Sequence, residues 1–89
     1  MNNLTSDVVL NGKTGIDYSE MDLPIWAVYS KNTLEYPGIF VARLFDTQNA
    51  TNCVLLSESL EDLREQLPDG LLRVDRYPED PPQILETWF

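Results

Sequence analysis

The 89-residue sequence contains no histidine, a single cysteine and only six basic residues against fifteen acidic ones, giving a formal net charge of −9. The missing histidine removes both the commonest general base and the commonest metal ligand. One cysteine, Cys53, cannot form an internal disulfide and excludes every zinc spacing built on several Cys or His ligands. Its free thiol fits a reducing compartment. The bases Lys13, Lys31, Arg43, Arg64, Arg73 and Arg76 stand singly. They form no clustered patch to grip a phosphate backbone, so nucleic acid is not an expected partner. The acidic balance also repels anionic membrane surfaces.

Long apolar runs are missing too. Ile39–Ala42 and Val54–Leu56 fall far short of the roughly 20 residues of a membrane span. Met1–Asp7 has neither the basic n-region nor the apolar h-region of a signal peptide. The expectation is a soluble, cytoplasmic protein. The four glycines, at 12, 15, 38 and 70, match neither a P-loop nor a dinucleotide fingerprint. Asp46-Thr-Gln-Asn opens like a calcium loop, but Gln48 and Ala50 stand at ligand positions and no Gly-then-Glu follows in register. Glu79 and Asp80 sit between prolines, where a solvated loop tip is the plainer reading than a cation site. The sequence is read as holding no metal, no cofactor and no catalytic residue.

What is present is enough to fold. The chain is 43% hydrophobic with nine aromatic residues, too apolar for a disordered acidic tail. At this length it makes one domain with one modest core, burying roughly 60% of its unfolded surface. The polar stretch 1–22 reads as an N-terminal extension, either a mobile arm or a short hairpin of Asp7–Leu10 against Ile16–Tyr18 across Asn11-Gly12. The regular domain covers 23–89.

Within that domain, Pro24–Tyr29 is dense in β-branched and aromatic residues and predicts a strand. Tyr36-Pro37-Gly38 predicts a turn, Ile39–Phe45 a second strand, Asp46–Asn52 a polar loop, and Cys53–Leu56 a third strand. Ser59 is a good helix N-cap with Asp62 at N3, and Leu60, Leu63 and Leu67 form one apolar stripe. The predicted helix runs Leu60–Leu67 and stops at Pro68-Asp69-Gly70, with Gly70 as its left-handed exit. Leu71–Arg76 and Ile84–Phe89 are the last two strands, separated by the proline-rich loop Pro78–Pro82. The fold class is therefore α+β: a mostly antiparallel sheet of about five strands, ordered β-β-β-α-β-β, with one short helix packed on one face.

Both faces of these strands are apolar. Phe40, Ala42 and Leu44 alternate with Ile39, Val41 and Phe45, and the strand at 84–89 behaves alike. A helix of this length covers one face. The other needs the N-terminal segment, a curled sheet, a second subunit or a partner protein.

The candidate interaction residues follow from that shortage. Arg43 stands on an apolar strand face, either paired to Glu86 or Asp75 or acting as an interface anchor. Glu58, Glu61, Asp62, Glu65, Glu79 and Asp80 belong to a stretch in which eight acids face three arginines. A solvated face is the plainer reading of that stretch. Cys53, Trp26 and Trp88 read as core residues rather than as nucleophile or ligand platforms. The functional expectation is a small acidic, non-enzymatic protein-interaction domain with a partner of basic surface, and a homodimer is allowed. The alternative is a nucleic-acid-mimicking inhibitor of a basic DNA- or RNA-binding protein, of phage or mobile-element type.

Three stretches, Tyr36-Pro-Gly-Ile-Phe-Val-Ala-Arg43, Ser59-Leu-Glu-Asp-Leu-Arg-Glu-Gln-Leu-Pro68 and Ile84-Leu-Glu-Thr-Trp-Phe89, resemble a group of small uncharacterised bacterial proteins. The resemblance spans about 24–89 and carries no activity, ligand or site residue. It implies a bacterial or phage origin and leaves the first twenty-odd residues as an extension.

Overall fold

A computed structural model describes residues 7–10 and 18–89. The strands are β1 (Val8–Val9), β2 (Pro24–Tyr29), β3 (Phe40–Asp46), β4 (Asn49–Ser57), β5 (Arg73–Asp75) and β6 (Ile84–Trp88), with one helix, α1 (Leu60–Gln66), between β4 and β5. They form one six-stranded sheet in the order β1-β4-β3-β2-β6-β5. All pairings are antiparallel except that of β1 with β4. The α+β class and the single short helix agree with the sequence reading. The addition is the parallel edge strand β1, which joins Val8 to Cys53 and Val9 to Val54. The expected hairpin partner Ile16–Tyr18 falls largely outside the described residues.

β2, β3 and β4 are a meander, and α1 then carries the chain back over the sheet to the far side, where β6 adds to β2 and β5 to β6. Ser59 caps α1 as expected, its Oγ accepting from the Asp62 N–H at 3.3 Å. The helix stops one residue early because Leu67, the residue before Pro68, is extended. Gly70 does adopt φ 87°, but in the turn after Pro68 rather than as the helix cap.

The expected loop Asp46–Asn52 is replaced by a two-residue turn, Thr47-Gln48, and β4 begins at Asn49. Thr47 takes φ 59°, an uncommon conformation for a β-branched residue. The pairing of β3 with β4 then slips between Arg43 and Phe45. At the slip, Thr51 Oγ1 donates to the Leu44 carbonyl at 2.7 Å and accepts from the Cys53 N–H at 3.2 Å. The side chain thus replaces ladder bonds that the bulge breaks.

The main core lies between the sheet and α1. Trp26, Val28, Ala42, Leu44 and Leu55 meet Leu63 and Leu67, and all are buried. Leu10, Tyr18 and Met21 pack against this same cluster. The described N-terminal residues therefore extend the helix side of the core. Deleting a side chain such as Leu63 here costs about 2–5 kcal/mol.

One polar group is built into that core. Register places Glu86 opposite Val28, on the helix side, where it is 3% exposed. Arg64 reaches it from α1 with two bonds, Nε to Oε2 at 2.9 Å and Nη2 to Oε1 at 2.6 Å. Trp88 Nε1 donates a third, at 2.8 Å. Burial pushes the Glu86 carboxyl up, and the Arg64 and Trp88 bonds outweigh it, holding the group below its usual range. Removing Arg64 leaves a buried carboxylate uncompensated. Arg64→Met is expected to lower stability by about 3 kcal/mol, and Arg64→Met combined with Glu86→Met to recover most of it, measured by urea unfolding. A double variant as unstable as the single one would show that the pair is not the source.

Candidate functional site

The face of the sheet away from α1 is set by strand register. Ile25, Ala27 and Tyr29 of β2 line up with Phe45, Arg43 and Val41 of β3. Val54 and Leu56 of β4 lie beyond Arg43 and Val41, and Thr87 of β6 lies beside Ala27. Ala27, Val41 and Val54 are buried on this side. No described helix lies on this side.

What remains open is a groove of about 280 Å³ lined by Tyr29, Tyr36, Val41, Arg43 and Phe45, with Thr33, Glu35 and Ala50 at its margins. The 31–39 connection forms one wall. Its turn closes with the Gly38 N–H donating to the Lys31 carbonyl at 2.7 Å, and Gly38 takes φ 86° as the Pro-Gly pair predicts. Leu34, in the same connection, is 98% exposed. Toward the two sheet edges Val9, Leu72 and Phe89 also stand exposed.

Arg43 is the polar centre of this face, and its partner is neither of the two expected. Glu86 lies across the sheet with Arg64, and Asp75 has Arg73 at 3.6 Å. Arg43 instead binds Asp7, from Nη1 at 3.0 Å and Nη2 at 2.8 Å, in a bidentate fork. Nη1 also donates to the Thr51 carbonyl at 2.9 Å, a group turned toward it by the β4 bulge. Tyr36 Oη donates at 2.8 Å to Asp7 Oδ2, the oxygen that also accepts from Arg43 Nη2. Both ion-pair side chains are largely shielded, 16% and 11% exposed, so this is no surface bridge. The Arg43 bond lowers the Asp7 pKa against the opposing effect of burial, with Tyr36 assisting. Burial first, then the bond to Asp7, raises the Tyr36 phenol.

The acidic candidates lie elsewhere. Glu58, Glu61, Asp62 and Glu65 are exposed on and beside α1, on the opposite side of the sheet from Arg43. Glu79 is exposed. Asp80 is consumed by its own loop, accepting from the Tyr77 N–H at 2.9 Å while its N–H donates to the Tyr77 carbonyl. Cys53 is half-buried against the core. Among the described residues no group of three or more His, Cys, Asp or Glu side chains is arranged to hold a metal ion, and no helix is long and apolar enough to cross a membrane.

A second depression, about 290 Å³, lies between Tyr18, Pro24, Trp26, Pro68 and Leu71 on the helix side. Tyr18 Oη and Trp26 Nε1 are buried there without a hydrogen-bond partner among the described residues. It is an apolar seam between the N-terminal residues and the helix exit.

Asp7, Tyr29, Tyr36 and Phe45 were not singled out as site residues by sequence. Nothing distinguishes Asp7 from fourteen other acids, and Tyr36 reads simply as a turn neighbour. The aromatic content of the face was the available signal. No family model matches the sequence, and no characterised protein or solved structure matches it.

Two carboxylates, Asp7 and Glu86, have folded pKa values depressed below those of the unfolded chain. Their contribution to stability is therefore complete above the ordinary carboxylate range, about 4, and is lost as pH falls through their folded values. Urea midpoints are expected to drop from about pH 5 toward pH 2, and Asp7→Asn and Glu86→Gln should each flatten part of that slope. Unchanged slopes would dismiss both pairs as stabilising contacts.

Proposed function

We propose that the protein is a non-enzymatic interaction domain whose open sheet face docks a partner protein presenting apolar residues flanked by lysine or arginine. The supporting observation is the groove of Tyr29, Tyr36, Val41 and Phe45, walled by the connection that also carries the exposed Leu34, on the side of the sheet away from α1. Aromatic rings in a partly desolvated groove are the usual anchors of protein interfaces.

The partner's charge follows from what the groove leaves unpaired. Arg43 is neutralised by Asp7, while Glu35 stands exposed at the margin, and the whole chain carries −9. A basic partner is steered in, whereas a second copy of this chain meets like charge. Tyrosine faces also accept a cation directly, as Phe40 accepts Lys31 at 5.2 Å elsewhere in the molecule. Binding is favoured over catalysis because the shielded carboxylates, Asp7 and Glu86, are each tied into a structural ion pair.

Capture from the source cell, with the wild-type chain and two variants as bait, tests this reading. Leu34→Asp alters a fully exposed side chain, and Phe45→Ser removes a groove ring. Wild type should retain a protein at roughly 0.5 M salt that both variants lose by at least about tenfold. Equal retention by the variants would sink the groove. Complete loss in salt would instead favour the carboxylates beside α1 and charge mimicry.

A further inference from the structure

We infer that the outer edge of β4, together with Arg43 and Tyr36, is a strand-acceptor site for an extended segment of a partner protein that carries a carboxylate three residues before a leucine, and that Asp7–Leu10 occupies this site in cis. This goes beyond the groove reading, because it uses the backbone edge of the sheet and a carboxylate pocket rather than the aromatic wall.

The contacts of Asp7–Leu10 have the form of a bound ligand. Each end is anchored: Asp7 by the Arg43 fork and the Tyr36 hydroxyl, and Leu10 by its N–H on the Val54 carbonyl at 2.8 Å and its side chain against the core. Between them Val8 and Val9 pair with Cys53 and Val54 while their side chains stand about half exposed. Main-chain bonds at the centre with side-chain pockets at fixed offsets are how peptides add to a sheet edge.

The cis occupant is also a minimal one. β1 has two residues in a parallel pairing at a sheet edge, the less stable geometry, and short strands of this kind are marginal. β4 has nine residues, of which Cys53 and Val54 alone pair with β1. A longer incoming strand therefore gains ladder bonds that Asp7–Leu10 does not make. The receptor groups do not depend on β1 for their placement. Arg43 is fixed by β3 and the Thr51 carbonyl, and Tyr36 by the 31–39 turn, where its N–H donates to Thr33 Oγ1 at 3.2 Å.

Exchange between two copies is a poorer occupant. It re-forms the same contacts each copy already makes, with nothing to offset the lost freedom of association, and it joins two chains of −9. A heterologous segment loses the same freedom on association, but its added ladder bonds offset that loss and it need not carry the same charge.

The test titrates an acetylated, amidated peptide of sequence Ser-Asp-Val-Val-Leu-Asn into the isotope-labelled full chain, following the amides of Cys53 and Val54 by NMR. Asp7→Ala in the full chain weakens the cis occupant and should bind this peptide at least about tenfold more tightly than wild type. The same peptide with asparagine in place of its aspartate should lose about tenfold against the Asp7→Ala chain. Tyr36→Phe, which removes one hydroxyl without cutting the fold, should weaken the aspartate peptide several-fold and leave the asparagine peptide unchanged. Adding Phe45→Ser to the Asp7→Ala chain should leave peptide binding intact, which separates failure of this site from failure of the groove. Equal binding by wild type and Asp7→Ala overturns the inference, as does equal binding of the two peptides. Dimers in which Asp7 of one copy contacts Arg43 of another would also overturn it, by making a second copy the occupant.

Discussion

A sheet that is apolar on both sides needs two covers, and among the described residues the one helix covers one side. α1 is seven residues long, about 10 Å, against a sheet whose six strands span about 24 Å. The described N-terminal residues Leu10, Tyr18 and Met21 reinforce the helix side, while Asp7 meets Arg43 on the other. On the opposite side the 31–39 connection folds down as a partial wall, and the buried centre at Ala27, Val41 and Val54 gives way to exposed Leu34, Val9, Leu72 and Phe89. The groove beside Arg43 is what the described residues leave open on that side.

Each face of the sheet carries one shielded arginine–carboxylate fork, and each fork holds an element that has little else to hold it. Arg64–Glu86 ties a short helix to the interior strand β6, and Arg43–Asp7 ties the two-residue strand β1 to β3. Neither pair is a large net source of stability once desolvation is counted. Their effect is on placement. A helix or strand of this length slides easily on an apolar surface, and a bidentate bond permits one position.

The elements legible in the sequence were those with local signals. Pro24–Tyr29 is written in β-branched and aromatic residues, and Ser59 with Leu60, Leu63 and Leu67 writes the capped helix. The two-sided apolar pattern of Phe40–Phe45 announced an under-covered sheet. The Thr47-Gln48 turn was not legible, since neither residue favours positive φ and the surrounding polar residues mimic a loop. Arg43 stood out as misplaced, yet its partner lies 36 residues away among fifteen equivalent acids. Asp7–Leu10 was offered as a hairpin strand on its apolar residues, but its parallel pairing with β4 and the Asp7 ion pair are defined by what they touch, and no local pattern marks those.

The strand order has a consequence for how the molecule assembles. β6 is written near the end of the sequence, yet it sits inside the sheet, between β2 and β5, with Trp88 beside Trp26. The β2–β3–β4 meander and α1 are local and can form early, but in that partial structure Arg64 has no carboxylate to meet and β2 presents a bare central edge. Closing a loop of this length is an entropic cost met late and slowly. Until β6 arrives, the most exposed edge of the folding chain is the one that ends up in the middle, and that is where misassembly would start.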